Sequence, residues 1–472
     1  MTPDTGISDT LSTSLPQDTI CAVSTPPGVG GIAVIRVSGP KAVDIVDTLF
    51  RPNGQGAPLS QRRTHTLAYG EIYSHEGDLL DQVVVSLFRA PHSYTGQDTV
   101  EISCHGSTYI AQHIILALIH SGCRGAAPGE FTRRAFANGR LDLSQAEAVA
   151  DLIASESASA HRIALNQMRG GYAAKLTTLR AKLLHITSLL ELELDFSEED
   201  VEFADRSELR CLLEEILERC QSLAASFRTG NVLKNGVPVA IAGAPNAGKS
   251  TLLNRLIGEE RAIVSDIAGT TRDFIEETIT LSGIRFRFID TAGLRHTDDT
   301  VEALGIERAR ERIRRARIVL LLIAEPLSQE AVEEQIQSLA VTDDQQLIVL
   351  LNKRDLWDTT PLEEYLQSRY PVVSISARSG DGLDSLKALL VSTIGYGSDD
   401  DALVVSNIRH YEALIQASES LQRAISAVHS GISADLVSEE VRQVLHHLGT
   451  ITGEITTDEV LCSIFSKFCI GK

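Results

Sequence analysis

The sequence predicts a multidomain protein of mixed α+β and α/β class, in which an α/β segment interrupts a helical one behind an N-terminal α+β unit. Three observations predict it. The stretch Val237–Thr251, VPVAIAGAPNAGKST, reads as a strand, a glycine-rich turn and a helix start, and apolar strand-like runs recur from there to about residue 396. Helical patterns on either side each carry one apolar stripe that lacks a partner of its own. Residues 19–125 carry short runs rich in Val and Ile.

In the N-terminal unit, strands are expected at Ile20–Ser24, Gly31–Val37, His65–Ile72, Gln82–Phe88 and Thr99–Ser103, with helices at Lys41–Leu49 and Ser107–His120. The turn TPPGVGG, Thr25–Gly31, is rigid and then permissive; it suits a ligand, a partner subunit or an ordinary strand connection equally. Arg36 and Glu101 are charges inside apolar runs. Such residues usually face water, but paired across a cleft they would suit a polar heterocycle.

From Leu143 to about Thr229 the texture is helical. Leu176, Leu179, Leu183, Ile186, Leu190 and Leu194 form one stripe, and Leu209, Leu212, Leu213, Ile216 and Leu223 a second. Residues 404–449 are helical again, with Leu414, Leu421 and Ile425, then Val441, Val444 and Leu448. The economical solution is one bundle built from both sets, with the segment 235–396 inserted and IGYGSDDD as its exit linker. The run RARERIRRAR, Arg308–Arg317, reads more readily as a solvated helix face than as an RNA site. Arg133, Arg134 and Arg140 raise the same question.

The inserted segment carries ordered chemistry. Gly243, Gly248, Lys249 and Ser250 fit G-x-x-x-x-G-K-[ST], in which backbone N–H groups cradle phosphates, the lysine reaches the β/γ-phosphates and the hydroxyl meets Mg²⁺. Thr270 and Thr271 can lend a second hydroxyl to Mg²⁺ from a mobile loop. Asp290-Thr291-Ala292-Gly293 ends the run Ile284–Ile289 and can hold Mg²⁺ through water and offer an N–H to the γ-phosphate. Asn352-Lys353-Arg354-Asp355 follows the strand Leu347–Leu351; Asp355 can accept two N–H bonds from guanine, a pattern adenine does not offer. Ser376-Ala377 can close over the base. Leu294 stands where some GTPases place a water-positioning glutamine, and the Asn246 carbonyl suits a monovalent cation able to stabilise transition-state charge.

Composition bounds the rest. The chain has 472 residues and a net charge of −20, which argues against indiscriminate coating of nucleic acid but leaves room for a local basic site. No run of 18 apolar residues is present. Residues 1–17 lack Lys, Arg and an apolar core, so they read as a frayed tail and not as a secretory signal. Seven scattered cysteines without C-x-x-C fit reduced thiols in a cytoplasm.

The whole chain from Asp18 to Lys472 resembles the MnmE (TrmE) family of tRNA-modification GTPases. The specific marks are TPPGVGGIAVIRVSG, PGEFTRRAFANGRLDLSQAEA, SDIAGTTRD, the inserted GTPase segment and the terminal FCIGK. The resemblance implies an N-terminal folate-binding-like α+β dimerisation domain at 18–140, a discontinuous helical domain at 141–234 and 397–472, and an inserted Ras-like P-loop GTPase domain at 235–396. It implies that Arg36, Glu101, Arg140 and Lys472 contact 5-formyl- or 5,10-methylene-tetrahydrofolate. Arg140 departs from the family's usual lysine, and CHGS at 104–107 from its usual glycine-flanked histidine.

The same resemblance implies that Asn246, Ser265, Ile267 and Thr270 ligate K⁺, that Ser250 and Thr271 serve Mg²⁺, and that Glu302 is the catalytic group that polarises water. Asn246, Ala247, Gly248, Lys249, Ser250 and Thr251 then bind GTP. So do Ser265, Asp266, Ile267, Ala268, Gly269, Thr270 and Thr271; Asp290, Thr291, Ala292 and Gly293; and Asn352, Lys353, Asp355, Ser376 and Ala377. Cys469 becomes a candidate for the tRNA chemistry, and His296 has no assigned role. The implied activity is K⁺-stimulated GTP hydrolysis by a homodimer. With an MnmG-like FAD-dependent subunit, in a heterotetramer, it would add an aminomethyl or carboxymethylaminomethyl group to C5 of the wobble uridine of certain tRNAs. The alternative is a GTPase switch in ribosome assembly or stress signalling, with the N-terminal domain as a docking module.

Overall fold

The structure, a computed structural model, describes residues 18–54, 56–195, 206–259, 277–289, 311, 313–394, 404–432 and 434–472. It divides into two compact units. The first comprises the described residues up to Ala150 together with Gly449–Lys472, and the second is Asp151–Leu448.

The first unit is built on a seven-stranded sheet. Its strands are β1 (Ile20–Val23), β2 (Ile32–Ser38), β3 (Phe50–Pro52), β4 (Thr66–Tyr73), β5 (Leu79–Phe88), β6 (Thr99–His105) and β7 (Arg124–Gly125), in the spatial order β3-β4-β5-β6-β2-β1-β7. Period-two alternation sends Ala33, Ile35 and Val37 of β2, with Val100 and Ile102 of β6, to one face. There the helices Ala42–Leu49 and Thr108–His120 cover them with Val43, Val46, Ile114 and Leu118. The same alternation turns Arg36 and Glu101, register partners on adjacent strands, to the opposite face. They are neighbours within one sheet and do not span a cleft.

The end of the chain joins this unit through a small apolar cluster. The helix Asp458–Phe465 and Phe468 pack on Leu143, Ala146 and Val149. Gly129 is left-handed (φ +66°), and a Cβ there would lie 2.7 Å from the Phe465 carbonyl oxygen. Beside it, Arg134 is wholly buried and donates to Glu130 at 3.0 Å and to Asp18 at 2.6 Å. That side chain is therefore a structural anchor and no RNA contact.

The second unit centres on a six-stranded sheet. It contains β8 (Val237–Gly243), β9 (Glu277–Leu281), β10 (Ile284–Phe288), β11 (Ile318–Ile323), β12 (Gln346–Leu351) and β13 (Val372–Ser374), in the order β13-β12-β11-β8-β10-β9. All neighbours are parallel except the β9–β10 hairpin. The β11 run IVLLLI is buried at every residue, as expected of a parallel strand covered on both faces.

The helices Ile408–His429 and Arg206–Asn235 pack together, and their Leu414, Leu421, Leu213 and Ile216 are fully buried. The chain leaves Arg206–Asn235 directly into β8. It returns across the same helix at Gly230, where a Cβ would lie 2.2 Å from the Val405 carbonyl oxygen, and the Val405 N–H bonds Ser226 Oγ at 3.0 Å. All but the first residue of the expected exit linker lies outside the described residues.

Candidate functional site: a phosphate loop and a charged aromatic cluster

The phosphate loop follows from glycine geometry. Gly243 has φ +140° and Gly248 φ +98°, so each adopts a backbone conformation that L side chains rarely take. Cβ atoms there would lie 2.5 Å from the Leu322 carbonyl oxygen and 2.4 Å from Asn352 Nδ2. Asn246, between them, is also left-handed (φ +61°) and exposed. The helix Lys249–Glu259 begins at once after Gly248, so its unpaired N–H groups and the positive end of its dipole face the loop. Lys249 Nζ donates to the carbonyls of Gly243 and Ala244, both at 2.8 Å, and burial pushes its ammonium below its ordinary pKa. Ser250 and Thr251 are the next two residues of the same helix.

Asn352 joins this loop to the rest of the site, a role its sequence motif does not announce. It sits at the carboxyl end of β12 and is 2% exposed. Its Nδ2 donates to the Ala247 carbonyl at 2.7 Å, and its Oδ1 accepts the Ala377 N–H at 2.9 Å. One side chain thus holds the phosphate loop and the Ser376-Ala377 turn together. Lys353 is left-handed (φ +62°), and Asp355 projects into solvent two residues on. Ser376 and Ala377 are buried, their turn held by the Ser376 N–H on the Asp381 carbonyl at 2.9 Å and by Arg255 on the Ser379 carbonyl at 3.2 Å. The arrangement lies at the carboxyl ends of β8 and β12, where open parallel sheets bind ligands. Ser265 to Thr271, Asp290 to Gly293, Leu294, His296 and Glu302 lie outside the described residues.

A second constellation occupies the first unit. Arg36 Nε donates to Glu101 Oε1 at 2.9 Å. The guanidinium lies 5.0 Å from the Tyr94 ring centre and 5.5 Å from that of Phe131. Burial pushes the Tyr94 phenol above its usual pKa, and its hydroxyl hydrogen-bonds Thr132 at 2.8 Å. The Phe131 N–H donates to the Lys472 carbonyl at 3.2 Å, which ties the chain terminus to the backbone of the residue whose ring Arg36 lies over. Gly471 (φ +96°) allows this approach, because a Cβ there would meet the Val23 carbonyl oxygen at 2.2 Å.

Arg36, paired with Glu101, thus lies over Tyr94 and Phe131, and Lys472 joins Phe131 through its backbone. Arg140 stands further along the same segment, its Cγ 3.2 Å from where a Gly96 Cβ would be. Cys469 is exposed in the tail, and its carbonyl accepts the Lys472 N–H at 3.3 Å. Sequence reasoning missed Tyr94, Phe131 and Gly471. Only the last had a local signal, a glycine two residues after Cys469.

Comparison with known proteins agrees over nearly the whole length. A family model described as the MnmE helical domain matches residues 143–469, and one described as the GTP-binding protein TrmE N-terminus matches residues 19–140. The tRNA modification GTPase MnmE of Parabacteroides distasonis is 52% identical over 462 residues, 97% of this chain and 100% of the relative. That of Porphyromonas gingivalis is 50% identical over 470 residues, 97% and 99% of the two chains. Among solved structures, the G domain of the T. maritima FeoB iron transporter is 25% identical, covering 34% of this chain and 99% of that one at a TM-score of 0.26. The chain belongs to the MnmE (TrmE) family of tRNA modification GTPases.

Proposed function

We propose that this chain is a K⁺-stimulated GTPase that, with an MnmG-like FAD-dependent partner, adds an aminomethyl or carboxymethylaminomethyl group to C5 of the wobble uridine of certain tRNAs. The observation that carries the guanine-nucleotide half is the Asn352 bridge between the phosphate loop and the turn at Ser376-Ala377, with Asp355 exposed beside it. In this reading 235–396 is the GTPase domain, 18–140 the folate-binding and dimerisation domain, and 141–234 with 397–472 the helical domain.

Of the residues this reading gives to the cations, Asn246 and Ser250 lie among the described ones. The exposed left-handed Asn246 offers a carbonyl for K⁺, with Ser265, Ile267 and Thr270 as the remaining ligands. Ser250 and Thr271 would hold Mg²⁺. Together the cations supply positive charge against the charge that develops on the transferring phosphoryl group. Lys249 and the loop N–H groups orient the phosphates, and Glu302 polarises the attacking water.

In the first unit, a carboxylate paired with a guanidinium between two aromatic rings suits a flat polar heterocycle such as a pterin. Glu101 would accept its N–H groups, and Tyr94 and Phe131 would exclude water. Arg140 and Lys472 would meet the anionic tail of tetrahydrofolate, and Cys469 would stand beside the uridine. Bound folate supplies the one-carbon unit.

Homodimerisation is supported by the sheet face away from the helices and by the turn beside it. Val29, Ile32, Leu67, Tyr69 and Leu79 are each at least half exposed there, an apolar set that a second copy of the chain would cover. No helix among the described residues is long and apolar enough to cross a membrane; a cytoplasmic location follows from the tRNA substrate.

The test is the hydrolysis rate of purified protein with GTP and ATP in KCl and NaCl. The reading requires GTP selectivity and a potassium rate well above the sodium rate. Equal rates with both nucleotides, or with both salts, refute the corresponding part.

A further inference from the structure

From Ser157 to Leu190 the sequence contains no Asp or Glu, in a chain that has 63 of them and a net charge of −20. The longer acid-free run, Arg219 to Gly258, contains the phosphate loop. The first run folds into the helix Ala158–Met168 and most of the helix Gly171–Asp195. The second helix buries Leu176, Leu179, Leu183 and Thr187, and turns Lys175, Thr178, Lys182 and His185 outward. That spacing of three, four and three is one continuous face. Lys175 and Lys182 lie about 10.5 Å apart along the axis. Arg169, exposed at the end of the preceding helix, extends the row.

The ordinary account of such residues, a solvated helix face, fits poorly. On other helices several surface cations are paired, Arg210 with Glu214 at 3.6 Å, Arg423 with Glu440 at 2.9 Å and Arg315 with Glu311, although Arg219 is exposed with no ion pair among the described residues. Arg169, Lys175 and Lys182 have no ion pair among the described residues. Helix stability does not explain them either. The cations occupy the first half of Gly171–Asp195, while Glu191, Glu193 and Asp195 occupy its last turn, the reverse of what the helix dipole favours. Arg180 serves the fold instead, its Nε donating to the Leu445 carbonyl at 3.3 Å. A row of separate, unpaired cations suits a polymer of phosphates, since neutralising spaced charges releases condensed counterions.

We propose that the face carrying Arg169, Lys175, Lys182 and His185 is a docking surface for the phosphate backbone of RNA. The proposal rests on the reading of tRNA as the substrate and adds where the RNA lies. The contacts position the RNA without reading its sequence.

The test uses the full chain and a labelled tRNA transcript with an unmodified wobble uridine, titrated by fluorescence anisotropy from 50 to 300 mM KCl. In the triple variant Arg169→Gln/Lys175→Gln/Lys182→Gln, the slope of log affinity against log salt should shrink by about 2 to 3 units, and affinity at ~100 mM should fall at least tenfold. Thermal midpoint and tRNA-independent GTP hydrolysis should not change. Lys175→Arg/Lys182→Arg should bind like the parent, because charge and not shape is used. A triple variant with parental slope and affinity overturns the proposal. So does a loss of binding to anionic phospholipid vesicles with tRNA binding intact, which would assign the face to a membrane. If the parent itself has no affinity for tRNA, the substrate reading falls together with the surface; a parent that binds and a variant that binds equally well refute the surface alone.

Discussion

Replacing Asn352 with alanine removes a side chain that ties the phosphate loop to the Ser376-Ala377 turn. Two bonds go, from Nδ2 to the Ala247 carbonyl and from the Ala377 N–H to Oδ1, and both partner residues are only 3% exposed. Each backbone group is then left unsatisfied in a site that water enters poorly, at about 1–3 kcal/mol apiece. A loss of about 3 kcal/mol is the central expectation, or roughly 5 °C of melting temperature if the unit melts cooperatively. Nucleotide affinity should fall more than tenfold, because the loop is no longer held in its binding shape before the ligand arrives. Differential scanning fluorimetry with and without GDP, and titration with a fluorescent guanine nucleotide, read the two effects separately. Parental melting and affinity within twofold would show that the bridge is incidental.

Other positions test other joints. Gly230→Ala lies within a helix, where alanine ordinarily stabilises by about 1 kcal/mol; here its Cβ meets the Val405 carbonyl at 2.2 Å, so chemical denaturation should show a loss instead. Gly471→Ala should lift the tail from Val23 and abolish tRNA modification in extracts while leaving GTP hydrolysis unchanged. Arg134→Met leaves Glu130 buried beside one cation fewer and should cost about 3–5 kcal/mol. Burial alone would raise the Asp18 and Glu130 carboxyls, but the bonds from Arg124 and Arg134 outweigh it and hold both below their ordinary pKa. Their contribution to stability is therefore present above about pH 4 and lost as pH falls through the depressed folded values, and acid unfolding should begin earlier in Arg134→Met. Glu302→Ala should keep guanine-nucleotide affinity and lose about 10²-fold or more in turnover; unchanged turnover would remove Glu302 from the chemistry.

Local pattern made much of this fold legible. The runs at Val237, Ile318 and Leu347 are strands because parallel strands buried on both faces read as continuous apolar stretches, and Leu176, Leu179, Leu183, Leu209, Leu213, Ile216, Leu414 and Leu421 of the helical stripes are buried as their spacing requires, while Leu212, Leu223 and Ile425 are half-buried and the side chains of Ile186, Leu190 and Leu194 lie outside those described. The charges at Arg36 and Glu101 stood out, and strand register then made them neighbours. Contacts closed over hundreds of residues were not legible. The tail meets Phe131 and Val23 through backbone groups, and the Asn352 bridge joins three loops distant in sequence; no periodicity encodes either. The short strands β3 and β7 also escaped notice, because two or three residues carry no alternation to read. Arg134 looked like Arg133 and Arg140 because burial with two acids depends on Asp18, 116 positions away.

The central claim is that a guanine-nucleotide engine and a heterocycle site in one chain serve wobble-uridine chemistry. Mass spectrometry of tRNA nucleosides from a strain lacking this protein tests it most directly, with the parent chain and Arg36→Ala restored separately. The account predicts that the aminomethyl or carboxymethylaminomethyl uridine disappears on deletion, returns with the parent and stays absent with Arg36→Ala. Full modification in the deletion strain would contradict it.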